Sequence, residues 1–276
     1  MIAPIKVICP AKINTFLSVG PPDRRNYHPI RTLFQAIDLW DTLWMSPATE
    51  AVIEIEGADL PTENTITKTL RLAGEIAAIP PLKLRLEKRI PMQSGLGGGS
   101  SNAAGVLRGL CAMGLMKPNS EMFSVASVIG ADVPFFLVGG KARGEGYGDQ
   151  LTALPDEAPY WLVVAKPNAG VSTAQAYGNL DKTERIWLDF PDQDKLHNDF
   201  ESVAARECAN LKEQLLSLGA TDAGLSGSGS AVFGRFSSEQ NAREAKSRLM
   251  ATFSGQSWAV STLTRSASLA IITPQP

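Results

Sequence analysis

Eight residues, Ser94-Gly95-Leu96-Gly97-Gly98-Gly99-Ser100-Ser101, hold four glycines and three serines, and small helix-forming residues follow at once. Such a stretch offers a ligand little except backbone amides and hydroxyls. Glycine admits positive φ and lets a ligand approach the amides with no Cβ in the way. The alternating segment Leu82–Glu87 reads as a half-buried strand leading into the loop, and a helix is expected from Ser100 to about Met113. Strand, glycine loop and helix N-terminus in that order form an anion site, because the first amides of a helix lack intrahelical partners and carry its positive dipole end. Ser94, Ser100 and Ser101 add hydroxyls suited to phosphate oxygens or a magnesium ion. Gly105 and Gly109 each cost the helix ~1 kcal/mol relative to alanine, which makes sense if the helix packs closely on a sheet. No lysine follows the glycines as a Walker A loop requires, and the GxGxxG spacing fails at Ser100.

Other residues stand out by type and surroundings. Asp132 is a lone acid in the turn Gly130-Ala131-Asp132-Val133-Pro134, where small neighbours leave room for a ligand. Lys12 lies between apolar residues on a strand, and a buried ammonium needs a partner close by. Asn14, two residues on, shares its strand face. Asn64 opens a helical pattern that runs to Ala78 and is placed as its N-cap. The chain holds two histidines and neither HExxH nor a Cys/His cluster, which argues against a protein-built zinc site. A GxSxG nucleophile elbow is absent as well.

The elements that must carry these groups are read from periodicity. Ile5–Cys9, Ile13–Val19, Thr32–Leu39, Thr42–Met45 and Val52–Glu56 read as strands, with a turn at Trp40-Asp41. A helix with Ser120 as its cap should end near Ile129. Beyond the polar, proline-flanked segment Pro155–Pro159 the expected order is a strand at Trp161–Ala165, a helix at Ser172–Leu180 and a long helix at Asp199–Leu218. Strands at Ala223–Ser226 and Ala231–Arg235, a helix at Ser238–Phe253 and a strand near Trp258–Leu263 complete it. This predicts an α+β protein of two domains, residues 1–157 and 158–276.

With 276 residues, 44% hydrophobic and 20% charged, the chain can bury a substantial core. A net charge of −2 gives no electrostatic case for nucleic acid or a membrane surface, though it leaves a local anion site open. No apolar run is long enough to span a bilayer, no secretory signal is recognisable, and three scattered cysteines suit reduced thiols, so a cytoplasmic location is expected.

The segment Pro91–Ala104 resembles the ATP loop of the GHMP kinases, the galactokinase, homoserine kinase and mevalonate kinase superfamily. Pro10-Ala11-Lys12-Ile13-Asn14 resembles its N-terminal motif, and Gly224–Phe233 its C-terminal glycine motif. Together with Tyr27-His28, Gly130–Phe136 and His197-Asn198-Asp199-Phe200-Glu201, these blocks resemble the branch whose acceptor is 4-diphosphocytidyl-2-C-methyl-D-erythritol. The match runs from about Pro10 to Arg235. It departs at Asn26 (usually glycine), Pro29 (usually acidic or polar) and Phe200 (usually leucine), none of which removes a reactive group.

The resemblance implies a two-domain GHMP kinase fold, with a ribosomal S5 domain 2-like N-terminal domain and a ferredoxin-like C-terminal domain. It implies ATP-dependent phosphorylation of the substrate's 2-hydroxyl, assisted by Mg2+. Lys12 and Asp132 become the catalytic pair, with Asp132 taking or orienting the hydroxyl proton and Asn14 orienting the same group. Tyr27 and His28 would recognise cytosine by stacking and hydrogen bonding, with Tyr177 on the opposite face and Lys141 reaching the cytidine or diphosphate. Gly227 and Ser228 would close over the ligands. Asn64, Pro91, Ser94, Gly95, Leu96, Gly97, Gly98, Gly99, Ser100 and Ser101 would bind the nucleotide, Ser101 also serving the metal. The expected form is a monomer or weak homodimer whose partner is a small molecule. Rival readings are a GHMP kinase for homoserine, mevalonate or a sugar, or a non-catalytic metabolite sensor; a cytidine-binding assay and ATP consumption separate them.

Overall fold

The computed structural model describes residues 3–168, 172–192 and 195–273. Strand β1 (Ile5–Val19) runs unbroken for 15 residues and pairs antiparallel with the 18-residue β2 (Ile30–Pro47). The expected break in each is instead a shift of register: Pro10 pairs Trp40 while Ala11 pairs Ile37. Such a bulge bends a ladder without ending it. The bend lets one strand serve three cores. Ile5, Val7 and Cys9 join one cluster, Ala11 and Ile13 a second, and Leu17 and Val19 a third.

β3 (Val52–Glu56) and β4 (Leu82–Glu87) extend this first sheet and have their expected limits. Between them, α1 (Thr65–Gly74) starts at Asn64, whose side chain accepts from the amides of Ile66 and Thr67 while Thr67 answers with a reciprocal bond. α2 (Gly98–Ala112) lies against β1 and β2. A Cβ at Gly105 would sit 2.4 Å from Cys9 Sγ, and one at Gly109 2.2 Å from Met45 Sδ. The helix glycines are therefore a condition of close helix–sheet packing. α3 (Ser120–Ile129) is capped by Asn119, whose Oδ1 accepts from Met122 N, and not by Ser120.

The short α4 (Phe135–Val138) and the hairpin β5 (Lys141–Glu145) and β6 (Gln150–Ala153) were not foreseen, and β5 pairs with β2. β7 (Trp161–Lys166), α5 (Thr173–Leu180) and the two-residue β8 (His197–Asn198) follow, β8 returning to pair with β1. The expected long helix is two pieces. A 3-10 turn (Asp199–Val203) gives way at Ala204, which is extended, to α6 (Arg206–Ser217).

β9 (Ala223–Leu225), β10 (Val232–Phe236), α7 (Glu239–Leu249) and β11 (Gln256–Ser261) complete a second sheet, ordered β11-β7-β10-β9 and antiparallel at every pair. Read by sequence rank this is 4-1-3-2 with helices between, the ferredoxin-like β-α-β-β-α-β arrangement. α8 (Arg265–Ser268) and β12 (Ile271–Ile272) then bring the chain back onto β1. Among the described residues no helix is long and apolar enough to cross a membrane.

Candidate active site

A cleft of about 1380 Å³ opens between the two sheets, and most of the residues singled out from the sequence line it. Its floor is the junction of two glycine loops. Ser226 Oγ donates to Gly95 O at 2.9 Å, and Ala231 N donates to Ser94 O at 2.9 Å. Asn198 holds the second loop by donating to Leu225 O and Gly227 O, each at 2.8 Å. A Cβ at Gly95 would come within 2.0 Å of Ser226 O, so that glycine is fixed by the docking of loop on loop.

Lys12 and Asp132 meet above this junction. Lys12 Nζ, 3% exposed, donates to Asn14 Oδ1 at 2.6 Å and stands 3.6 Å from Asp132 Oδ2. Asn14 is oriented in turn, its Nδ2 donating to Thr32 Oγ1 at 2.7 Å. Burial pushes the Lys12 ammonium below its ordinary pKa, while the carboxylate of Asp132 opposes that shift. Asp132 keeps a third of its side chain open to the cleft. The pair is thus one sheltered cation and one accessible carboxylate, with Asn14 locking the lysine's direction.

Along one arm of the cleft lie Asn64, Thr65, Pro91, Ser94, Gly95 and Gly97–Ser100. Gly97 is the N-cap of α2, at φ 74°, where a Cβ would meet the ring of Phe136 at 2.8 Å. Gly98 is buried and backs onto Ile90, whereas Gly99 is exposed and has only Thr65 near it, at 3.6 Å. The bare first turn of α2 therefore presents its amides to the cleft at Gly99 and Ser100. That is a cradle suited to phosphate.

Three expected site residues stand elsewhere. Leu96 turns its side chain into the core; its carbonyl accepts from Lys12 N at 3.0 Å and its amide donates to Ser94 Oγ at 3.3 Å. Ser101 is fully buried and does not line the cleft, because one helical step rotates it away from Ser100, and its buried Oγ has no hydrogen-bond partner among the described residues. Lys141, on β5, is bound to Glu157 at 2.5 Å and lies outside the cleft wall.

The other arm holds Tyr27, His28, Tyr177, Gly227 and Ser228. Tyr27 is 65% exposed. His28 is nearly buried, its Nδ1 2.9 Å from Gly20 O and its Nε2 3.2 Å from Asp181 Oδ1, so both ring nitrogens are engaged within the protein. Its ring stacks on Tyr177 at 5.2 Å, and Tyr177 meets Phe200 edge-on at 4.9 Å. His28 is thus a strut beneath Tyr177. Burial, with Asp132 adding to it, pushes the Tyr177 phenol up to about 12.

Several participants were missed. Asp41, fully buried, accepts from Arg89 N at 2.7 Å, Ile90 N at 2.8 Å and Asn102 Nδ2 at 2.8 Å, and forms an ion pair with Lys88. Lys88 lines the cleft and also donates to Asn102 Oδ1 at 3.1 Å. This cluster fixes the entry to the first glycine loop and brings a cation beneath it. Lys88 stands three residues before the Pro91–Ala104 motif, just past the end of β4, a position that could have drawn attention to it. Arg25 and Tyr147 also line the cleft.

The donor set bears on a metal. Among the described residues no cluster of three or more His, Cys, Asp or Glu could hold an ion unaided. Asp132 and Ser100 nevertheless face the phosphate cradle, which fits Mg2+, an ion bound through one or two carboxylates and the substrate's phosphates.

Comparison with known proteins bears on the family and the fold. Residues 64–140 match the model of the GHMP kinases N terminal domain, and residues 197–255 that of the GHMP kinases C terminal domain. A protein of Syntrophus aciditrophicus (strain SB), named 4-diphosphocytidyl-2-C-methyl-D-erythritol kinase, is 36% identical over 263 residues, 89% of this chain and 94% of that one. One of the same name from Solibacter usitatus (strain Ellin6076) is 37% identical over 250 residues, 82% and 79% of the two chains. A crystal structure of 4-(cytidine 5'-diphospho)-2C-methyl-D-erythritol kinase superposes with a TM-score of 0.81 at 33% identity, covering 93% of this chain and 98% of the other. Homoserine kinase from Cytophaga hutchinsonii shares the fold, with a TM-score of 0.72 at 19% identity over 99% and 98% of the two chains.

Proposed function

The chain belongs to the 4-diphosphocytidyl-2-C-methyl-D-erythritol kinase family of the GHMP kinases, and on that premise we propose how its residues divide the work of ATP-dependent phosphoryl transfer. The acceptor is the 2-hydroxyl of 4-diphosphocytidyl-2-C-methyl-D-erythritol; the products are the 2-phosphate and ADP. The single observation that carries the reading is the Lys12–Asp132 pair, seated where the two glycine loops meet, in one cleft with a phosphate cradle and an exposed tyrosine.

The amides of Gly99 and Ser100 bind the nucleotide's phosphates, with Lys88 supplying charge from below the loop. Asn64 and Thr65 border the nucleotide at the N-terminus of α1. At the other arm the ring of Tyr27 stacks on cytosine, Tyr177 forms the opposing wall, and Gly227 and Ser228 close over the polyol. The 2-hydroxyl then lies against Asp132 and Asn14. Asp132 accepts its proton as the new O–P bond forms, and Lys12 stabilises the charge on the transferring oxygens. Positioning matters more than base strength in such transfers, so a carboxylate suffices. Mg2+, held by Asp132 and Ser100, would neutralise charge on the phosphates when bound. All of these groups come from one chain.

The test is a coupled assay of ADP release with 4-diphosphocytidyl-2-C-methyl-D-erythritol, mevalonate, homoserine and galactose as acceptors. Turnover with the cytidyl compound alone is expected. Preference for any other acceptor removes the proposed role of Tyr27 and Tyr177.

A further inference from the structure

Tyr27 presents 65% of its surface to solvent at the rim of the cleft, and an exposed ring on a loop does not hold a stacking geometry by itself. The loop around it is nevertheless tightly organised, and its bonds converge on one distant residue. Asp23 Oδ1 accepts from Arg25 N at 2.8 Å and Tyr27 N at 3.0 Å, and Asp23 N donates to Tyr27 O at 2.8 Å. The other carboxylate oxygen, Oδ2, accepts from the hydroxyl of Tyr147 at 2.5 Å. The Arg25 guanidinium lies over the Tyr147 ring, 5.2 Å from its centroid, and also donates to the Tyr147 hydroxyl. Tyr27 itself meets Tyr147 edge to face, at 5.9 Å and 66°.

Tyr147 is well placed to act as an anchor. It sits in the turn between β5 and β6, flanked by Gly146 at φ 65° and Gly148 at φ 100°. Its amide donates to Asp149 Oδ1 at 3.1 Å, and the carbonyl of Gly146 accepts from Ile30 N, at the start of β2, at 2.7 Å. The turn is therefore part of the first sheet's framework, and Tyr147 carries that rigidity 124 positions back along the chain to Asp23. The hydroxyl of Tyr147 is also the chief reason the Asp23 carboxyl is depressed to about 2, ahead of the Tyr27 amide.

We propose that Tyr147 is a positioning residue for nucleobase recognition: through its hydroxyl on Asp23 and its ring against Tyr27, it sets the pitch of the Tyr27 ring. The inference rests on the reading of Tyr27 as the cytosine-stacking residue. A purely structural Tyr147 would affect the whole enzyme alike; a positioning Tyr147 affects the cytidyl subsite, and does so only while Tyr27 is present.

The experiment is a double-mutant cycle. Binding of CDP and the KM values for the cytidyl substrate and for ATP are measured in the wild type, Tyr27→Ala, Tyr147→Ala, Tyr147→Phe and the double alanine variant. Loss of a base–aromatic stack should weaken CDP binding in Tyr27→Ala by roughly 5- to 150-fold. Tyr147→Ala should weaken it by at least about fivefold, with the KM for ATP within about twofold of wild type. Tyr147→Phe, which keeps the ring and loses only the hydroxyl's bonds to Asp23 and Arg25, should recover part of that loss. The double variant should bind no more weakly than Tyr27→Ala. If Tyr27→Ala weakens binding and Tyr147→Ala does not, or if the two losses multiply in the double variant, the positioning role is overturned and the stacking reading stands. A parallel rise in the KM for ATP also overturns it. Unchanged CDP binding in Tyr27→Ala refutes the stacking reading and the inference with it.

Discussion

Gly98 and Gly99 stand side by side in the first turn of α2, and valine at each is expected to fail in a different way. At Gly98 a Cβ would lie 2.9 Å from Ile90 Cγ2, 3.1 Å from Ile90 Cβ and 3.2 Å from Lys88 Nζ. Ile90 is 2% exposed and cannot step aside. Overpacking of this kind costs about 1–3 kcal/mol, or roughly 2–12 °C in Tm for a protein of this size. At Gly99 the nearest atoms are Thr65 Cγ2 and Oγ1, at 3.6 and 3.7 Å, which is ordinary contact. Replacing glycine in a helix even returns up to ~1 kcal/mol with alanine. Gly99 variants should therefore keep the wild-type Tm or exceed it. Yet Gly99 faces the cleft, and a branched side chain there would stand between the phosphates and the amides. Gly99→Val should weaken ATP binding by at least ~tenfold, about 1.4 kcal/mol. Thermal denaturation without ligand and calorimetric titration with ATP separate the two effects. Wild-type ATP affinity in Gly99→Val would show that this turn does not cradle the phosphates. A Gly98→Val protein as stable as the wild type would refute the packing argument.

Asp41→Asn keeps the shape of a fully buried acid but leaves the Lys88 ammonium unpaired beneath the loop, and urea unfolding should show a loss of about 3–5 kcal/mol. His28→Ala should weaken the cytidyl substrate by removing the support under Tyr177, without changing the preference for cytidine over uridine, because both ring nitrogens are engaged by Gly20 and Asp181. Competition titrations with CDP and UDP check it, and a changed ratio would give His28 a direct role at the base. Burial raises the pKa of Asp199, but His197, Val19 N and the Ser18 hydroxyl together lower it below the ordinary value. A depressed folded pKa contributes stability above the unfolded value of about 3.9 and loses it as pH falls through the folded pKa. The stability gap between wild type and Asp199→Asn should thus be full at pH 6 and shrink below about pH 4 in urea unfolding.

What the sequence made legible is local. The glycine loop, the Asn64 cap and the limits of β3 and β4 depend on residues within a few positions of one another, and spacing reveals them. The 4-1-3-2 sheet followed from the order of strands and helices once the family resemblance was recognised. Contacts made across the chain stayed hidden. Asp41 read as a turn because its partners Lys88 and Asn102 lie 47 and 61 positions away. Pro10 and Trp40 read as breaks because a bulge in a paired ladder has no distinct signature in either strand alone. The β5–β6 hairpin was concealed by the glycines that shape it, and Tyr147 with it. Composition could not show that, of the adjacent Ser100 and Ser101, one helical step leaves the first on the cleft wall and buries the second.

The central claim is that the Lys12–Asp132 pair moves the phosphoryl group. Asp132→Asn is nearly isosteric, and Asp132 is part-exposed, so the variant should fold and bind both ligands. The most direct measurement is single-turnover transfer followed by 31P NMR, with enzyme in excess over 4-diphosphocytidyl-2-C-methyl-D-erythritol and ATP saturating. The account predicts 2-phosphate formation slowed by ~10²–10⁴ in Asp132→Asn, with CDP and ATP affinities held within about threefold. Transfer at the wild-type rate in that variant would contradict it.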